Sequence, residues 1–94
     1  MNKTIFKYEL EATIHLQSIV MPKGAKILHF GNQRDQLTIW AEVDESEIVL
    51  ETRLFQVLDT VVSQLLEERK LSYIGTALFH KSGVFVWHLY EALD

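Results

Sequence analysis

Four histidines, His15, His29, His80 and His88, are the side chains in this sequence best suited to holding a metal or moving a proton near neutral pH. Their spacing supports neither use. No two are separated by one or by three residues, so no strand or helix presents a ready pair. His80 and His88 flank a short loop at 81–83. The register around that loop sets His80 opposite Val84 and His88 opposite Thr76, which keeps the two imidazoles several residues apart. Carboxylates gather at Asp44, Glu45 and Glu47 and again at Glu67 and Glu68, in polar contexts. General acid–base work needs a carboxyl whose pKa is moved by burial or by a neighbour, and neither group suggests one. Thr60, Ser63, Ser72 and Ser82 have no evident base. The phosphate-binding loop, the dinucleotide fingerprint and the nucleophile elbow are all missing. With no cysteine, thiol chemistry, disulfides and thiolate zinc sites are excluded. The sequence therefore reads as a non-enzyme with no metal and no cofactor.

Binding is the chemistry that remains. Trp40 shares a strand face with Thr38 and Glu42, polar neighbours that make burial of the indole hard to arrange. Trp87 shares its face with Phe85 and Leu89 and reads as core. Arg34 falls in a loop and Arg53 follows an acidic connection, so both guanidinium groups can reach a phosphate or a carboxylate. Trp40, Arg34 and Arg53 are the candidate recognition residues, since aromatic and arginine side chains dominate binding energy at interfaces.

These residues need elements to carry them, and the alternation supplies strands. In Lys3–Leu10, Ile5, Lys7 and Glu9 fall on one face and Phe6, Tyr8 and Leu10 on the other. A second strand is expected over residues 13–21, with a bulge near Gln17 and Ser18. Met21-Pro22-Lys23-Gly24 is a turn. Strands at 25–30 and 36–43 form a hairpin around the polar loop 31–35, where Gly31 and Asn32 provide the unusual backbone angles. The acidic connection 44–47 leads into a strand at 52–58. Asp59 or Thr60 can cap one short helix near residues 60–69, with Val61, Val62, Leu65 and Leu66 on one stripe and Arg69 and Lys70 at its C-terminal end. Residues 71–91 form a last hairpin whose loop turns at Gly83. The expected fold is β-rich (α+β): one domain over residues 1–94, mostly antiparallel sheet of six or seven strands, with one short helix.

Composition sets the remaining bounds. Ninety-four residues make one domain, and a chain this short buries only about two-thirds of its unfolded surface. Yet 48% of its residues are hydrophobic, more than a small core needs, so a homo-oligomer is a reasonable expectation. The net charge of −4 argues against general nucleic-acid binding and suits a basic partner. The longest apolar runs fall far short of the roughly 20 residues a membrane-spanning helix requires. The N-terminus lacks the apolar core of a signal peptide, and a cytoplasmic protein is expected.

The segments Thr4-Ile-Phe-Lys-Tyr8, Met21-Pro-Lys-Gly-Ala-Lys-Ile-Leu-His29, Leu37-Thr-Ile-Trp-Ala-Glu-Val-Asp44, Arg53-Leu-Phe55, Tyr73-Ile-Gly-Thr76 and Val86-Trp-His-Leu-Tyr-Glu91 together resemble a group of short, uncharacterised proteins of bacteriophages and prophages. The resemblance runs through nearly the whole chain in the same order. It implies a phage-linked origin and a small β-rich domain, and it transfers no catalytic residue. The chain departs from that pattern at residues 61–70, where a short polar loop is replaced by the helix candidate. Two functions stay open on these grounds. One is an accessory protein that binds and inhibits a host protein, such as a defence factor. The other is an oligomeric protein that sequesters a nucleotide-like small molecule.

Overall fold

The computed structural model describes residues 2–60, 70–79 and 85–93. Among these residues there are seven strands: β1 (Lys3–Leu10), β2 (Gln17–Pro22), β3 (Lys26–Gln33), β4 (Gln36–Asp44), β5 (Leu50–Asp59), β6 (Leu71–Phe79) and β7 (Phe85–Ala92). All pairings are antiparallel. They form a three-stranded sheet in the order β1-β4-β3 and a four-stranded sheet in the order β2-β5-β7-β6. The β-rich class expected from the alternation is what is found. The expected helix lies, apart from Thr60, outside the described residues, as do the 81–83 loop with Gly83 and the His80–Val84 pair. The pairing of Thr76 with His88 is present as the alternation implies.

One apolar core joins the two sheets. In β4 the odd positions Leu37, Ile39, Ala41 and Val43 are fully buried and set the inner face of the three-stranded sheet. Phe55 and Val57 of β5, Ala77 of β6 and Leu89 of β7 meet them from the other sheet, with Leu10, Met21, Ala25 and Phe30 completing the cluster. Burial of this alternating set fixes register, because a slip of one residue would turn every core side chain to solvent. The edges of β3 and β6 lie together. Asn32 Nδ2 donates to the Leu78 carbonyl at 3.1 Å, and a Cβ on Gly75 would sit 3.6 Å from the Phe30 Cβ.

Three local departures from the sequence reading have physical causes. The strand expected at 13–21 begins only at Gln17. Residues 11–16 bend instead, and the Gln17 amide closes the corner by accepting from Glu11 N–H and donating to Glu11 C=O, both at 2.8 Å. The β3–β4 loop is two residues long rather than five. Arg34 (φ 52°) and Asp35 (φ 64°) form it, a left-handed pair whose twist matches that of the flanking strands. Gly31 and Asn32 belong to β3. Gly31 leaves room there for the exposed His29 ring, whose Nε2 would lie 2.8 Å from a Cβ at this position and would have to move. At the β2 corner, Ala25 N–H donates to Pro22 C=O at 3.1 Å, so Lys23 and Gly24 are the central residues, with Gly24 at φ 83°. Pro22 thus ends β2, an edge strand in which a missing N–H is tolerated.

Candidate functional site

The outer face of the three-stranded sheet carries the residues best placed for recognition. β4 is its central strand, and Trp40 sits midway along it. Lys7 of β1 lies opposite Trp40 on one side and His29 of β3 on the other. A bulge at Leu28 shifts the β3 register and brings His29 onto this face. The two rings lie 5.4 Å apart, tilted by 40°. The next rung holds Ile5, Glu42 and Lys26, and Lys3 Nζ lies 3.3 Å from Glu42 Oε1 on the exposed surface. Trp40 is half-buried. The His29 ring packs beside its indole while part of the indole still faces solvent.

Towards the β3–β4 turn the face opens into a polar hollow of about 390 Å³, lined by Lys7, Glu9, Gln33, Arg34 and Gln36. Lys7 Nζ donates to Gln33 Oε1 at 3.3 Å, and Gln36 Nε2 donates to the Leu10 carbonyl at 2.7 Å. Two cations and two amides around one hollow can receive a carboxylate or phosphate, with Glu9 opposing a highly charged one.

The three sequence candidates do not converge. Arg34 and Trp40 belong to the same hairpin. Arg53 lies in β5 of the other sheet, where its side chain is largely covered. Its Nε and Nη2 donate to the two Glu91 oxygens at 2.7 and 2.8 Å, and Nη1 donates to the Ala25 carbonyl. Those hydrogen bonds to Glu91 hold the guanidinium above its ordinary pKa, and Glu51 at 4.0 Å adds to the effect. Arg53 so placed ties β5 to β7 and to the β2–β3 corner.

A second polar grouping was not visible in the sequence. On the four-stranded sheet, His88 Nε2 lies 3.1 Å from Thr60 Oγ1, and its Nδ1 lies 2.9 Å from Thr76 Oγ1. Thr76 Oγ1 in turn lies 2.5 Å from the Tyr73 hydroxyl. Thr60, which had no evident base, thus has an imidazole beside it. The hairpin register gave the Thr76 half of this arrangement. The Tyr73 half depends on a bulge at Ile74 that places Tyr73 opposite Tyr90, with rings 5.4 Å apart. The group orienting the imidazole is a neutral hydroxyl, which stabilises an imidazolium less than the buried carboxylate of a hydrolytic triad does.

Among the described residues Asp44 is the one carboxylate pulled clearly below its ordinary pKa. The Ser46 hydroxyl donates to its Oδ1 at 2.6 Å and the Ser46 N–H at 3.0 Å, a local turn on an exposed connection. Among the described residues no group of three or more His, Asp or Glu is arranged to hold a metal. No helix among them is long and apolar enough to cross a membrane.

A family model described as a domain of unknown function, DUF7352, matches residues 1–94, and the chain belongs to that family. No curated protein matches the chain, and no solved structure matches it.

Proposed function

From membership of a family whose description assigns no activity, we propose that this domain works by binding another protein through the outer face of its three-stranded sheet. The observation that carries this reading is Trp40: a half-buried indole on the central strand, braced by His29 and ringed by Lys7, Lys26 and Glu42. An aromatic anchor inside a charged rim is the arrangement in which a few residues supply most of the binding energy. The resemblance to phage and prophage proteins supports a phage-encoded accessory protein acting in the bacterial cytoplasm. A host protein is then the partner, and a defence factor that the phage must inhibit is the target class. The chain's net charge of −4 suits a target with a basic surface.

The polar hollow favours one second reading. Lys7 and Arg34 could hold the phosphate of a nucleotide-like molecule near the Trp40–His29 pair, making the domain a sequestering protein. Native mass spectrometry of protein purified from a bacterial host separates the two. A co-purified protein that is lost with Trp40→Ala supports the first reading. A small bound mass lost with Arg34→Ala supports the second. Protein that carries neither sinks both.

A further inference from the structure

We propose that β1 is a dimerisation edge, along which a second copy of this chain pairs to make one continuous six-stranded sheet. This inference is independent of the partner proposed above.

β1 differs from the other sheet edges. β3 and β6 lie against each other, and β2 ends in a proline. β1 is eight residues long, regular, free of proline and glycine, and among the described residues nothing pairs with its outer side. Glu45 N–H donates to the Asn2 carbonyl at 2.7 Å, which fixes the even-numbered residues as those bonded to β4. The N–H and C=O groups of Lys3, Ile5, Lys7 and Glu9 therefore point outward, a row of unpaired donors and acceptors of the kind that templates strand addition. Ile5 is 57% exposed, and Phe6 is 38% exposed although it faces the core side of the sheet.

The sequence of β1 then selects both the occupant and the register. A two-fold axis through an antiparallel strand pair sets some residue opposite itself. Centred on Phe6, it opposes Lys3 to Glu9, Thr4 to Tyr8 and Ile5 to Lys7, each twice. Opposite charges meet, two Phe6 rings cover each other, and the lysine stem lies along Ile5. Centred on Ile5, it opposes Lys3 to Lys7. Centred on Lys7, it opposes that lysine to its own copy. Like charges face each other in both alternatives. Centred on Tyr8, the axis opposes Lys7 to Glu9 but pairs only residues 6–10, so the longer Phe6 register is favoured. Lys3 keeps its exposed contact with Glu42 of its own chain, one rung along β4. The second copy's Lys3 would then stand beside Glu9, at the rim of the polar hollow.

Sedimentation equilibrium from the micromolar to the submillimolar range tests this, with circular dichroism to report the fold. The wild type should dimerise. Ile5→Pro should give a folded monomer, because it removes an N–H that points away from β4. Lys3→Glu and Glu9→Lys should each weaken the dimer, roughly tenfold. The doubly swapped Lys3→Glu/Glu9→Lys chain should recover it. A wild type that stays monomeric throughout overturns the proposal. So does a dimer that survives Ile5→Pro, or a double swap no tighter than the singles.

Discussion

The two sheets treat the same residue type in opposite ways. The three-stranded sheet carries Arg34 at the tip of a two-residue turn, exposed, beside a polar hollow. The four-stranded sheet carries Arg53 in mid-strand, where both carboxylate oxygens of Glu91 and the Ala25 carbonyl take its donors. What separates them is the neighbouring strand. β7 brings Glu91 into register with Phe55, within reach of a guanidinium two residues along β5. Among the described residues no strand runs past the tip of the β3–β4 turn. An arginine fork whose five donors are mostly matched inside the fold contributes to stability and specifies strand position. One at a left-handed turn has its donors left for something else.

Substitution should sharpen this contrast. Arg53→Ala is the largest expected effect. It leaves Glu91 partly buried without its partner and should cost about 3 kcal/mol in denaturant unfolding. Arg34→Ala should stay within about 0.5 kcal/mol, as exposed changes do. Equal losses would erase the distinction. Arg53→Lys is expected to be intermediate, at about 1–2 kcal/mol, because an ammonium keeps the charge and loses the bidentate fork. Recovery of full stability by lysine would mean that only the charge matters.

Trp40→Ala should lower stability by about 2 kcal/mol, since the ring is mostly covered and packs beside His29. The smallest effect belongs to Asp44. Its folded pKa is lowered, so its contribution is present above the unfolded value and is lost as pH falls through the folded one. The difference in thermal midpoint between wild type and Asp44→Asn should therefore shrink on acidification below the ordinary carboxylate range. A difference that grows there would reverse the sign.

Much of this was legible in residue order. Alternation in β1 and β4 placed Leu10, Tyr8, Ile39 and Val43 inward and Trp40 and Glu42 outward, whereas Thr38 on the same face as Trp40 is fully buried, its hydroxyl donating to the Gln36 carbonyl. The parts that were not legible share a cause, which is contact between positions distant in sequence or a break in period. Arg53 and Glu91 are 38 residues apart, and nothing local to either marks the pair. Bulges at Leu28 and Ile74 move His29 and Tyr73 to faces that strict alternation denies them. The β3–β4 turn is shorter than residue order suggests because Gly31 and Asn32 carry the usual turn signal, whereas the left-handed angles fall on Arg34 and Asp35.

The central claim is that the outer face of the three-stranded sheet recognises a partner through Trp40. Its most direct test is native mass spectrometry of three forms purified from the same bacterial host: wild type, Trp40→Ala, and Thr52→Ala on the other sheet. The account predicts a bound protein on wild type and on Thr52→Ala, and none on Trp40→Ala, with circular dichroism showing that this variant is still folded. Retention of the same bound protein by Trp40→Ala would contradict it, as would a wild type that carries no protein at all.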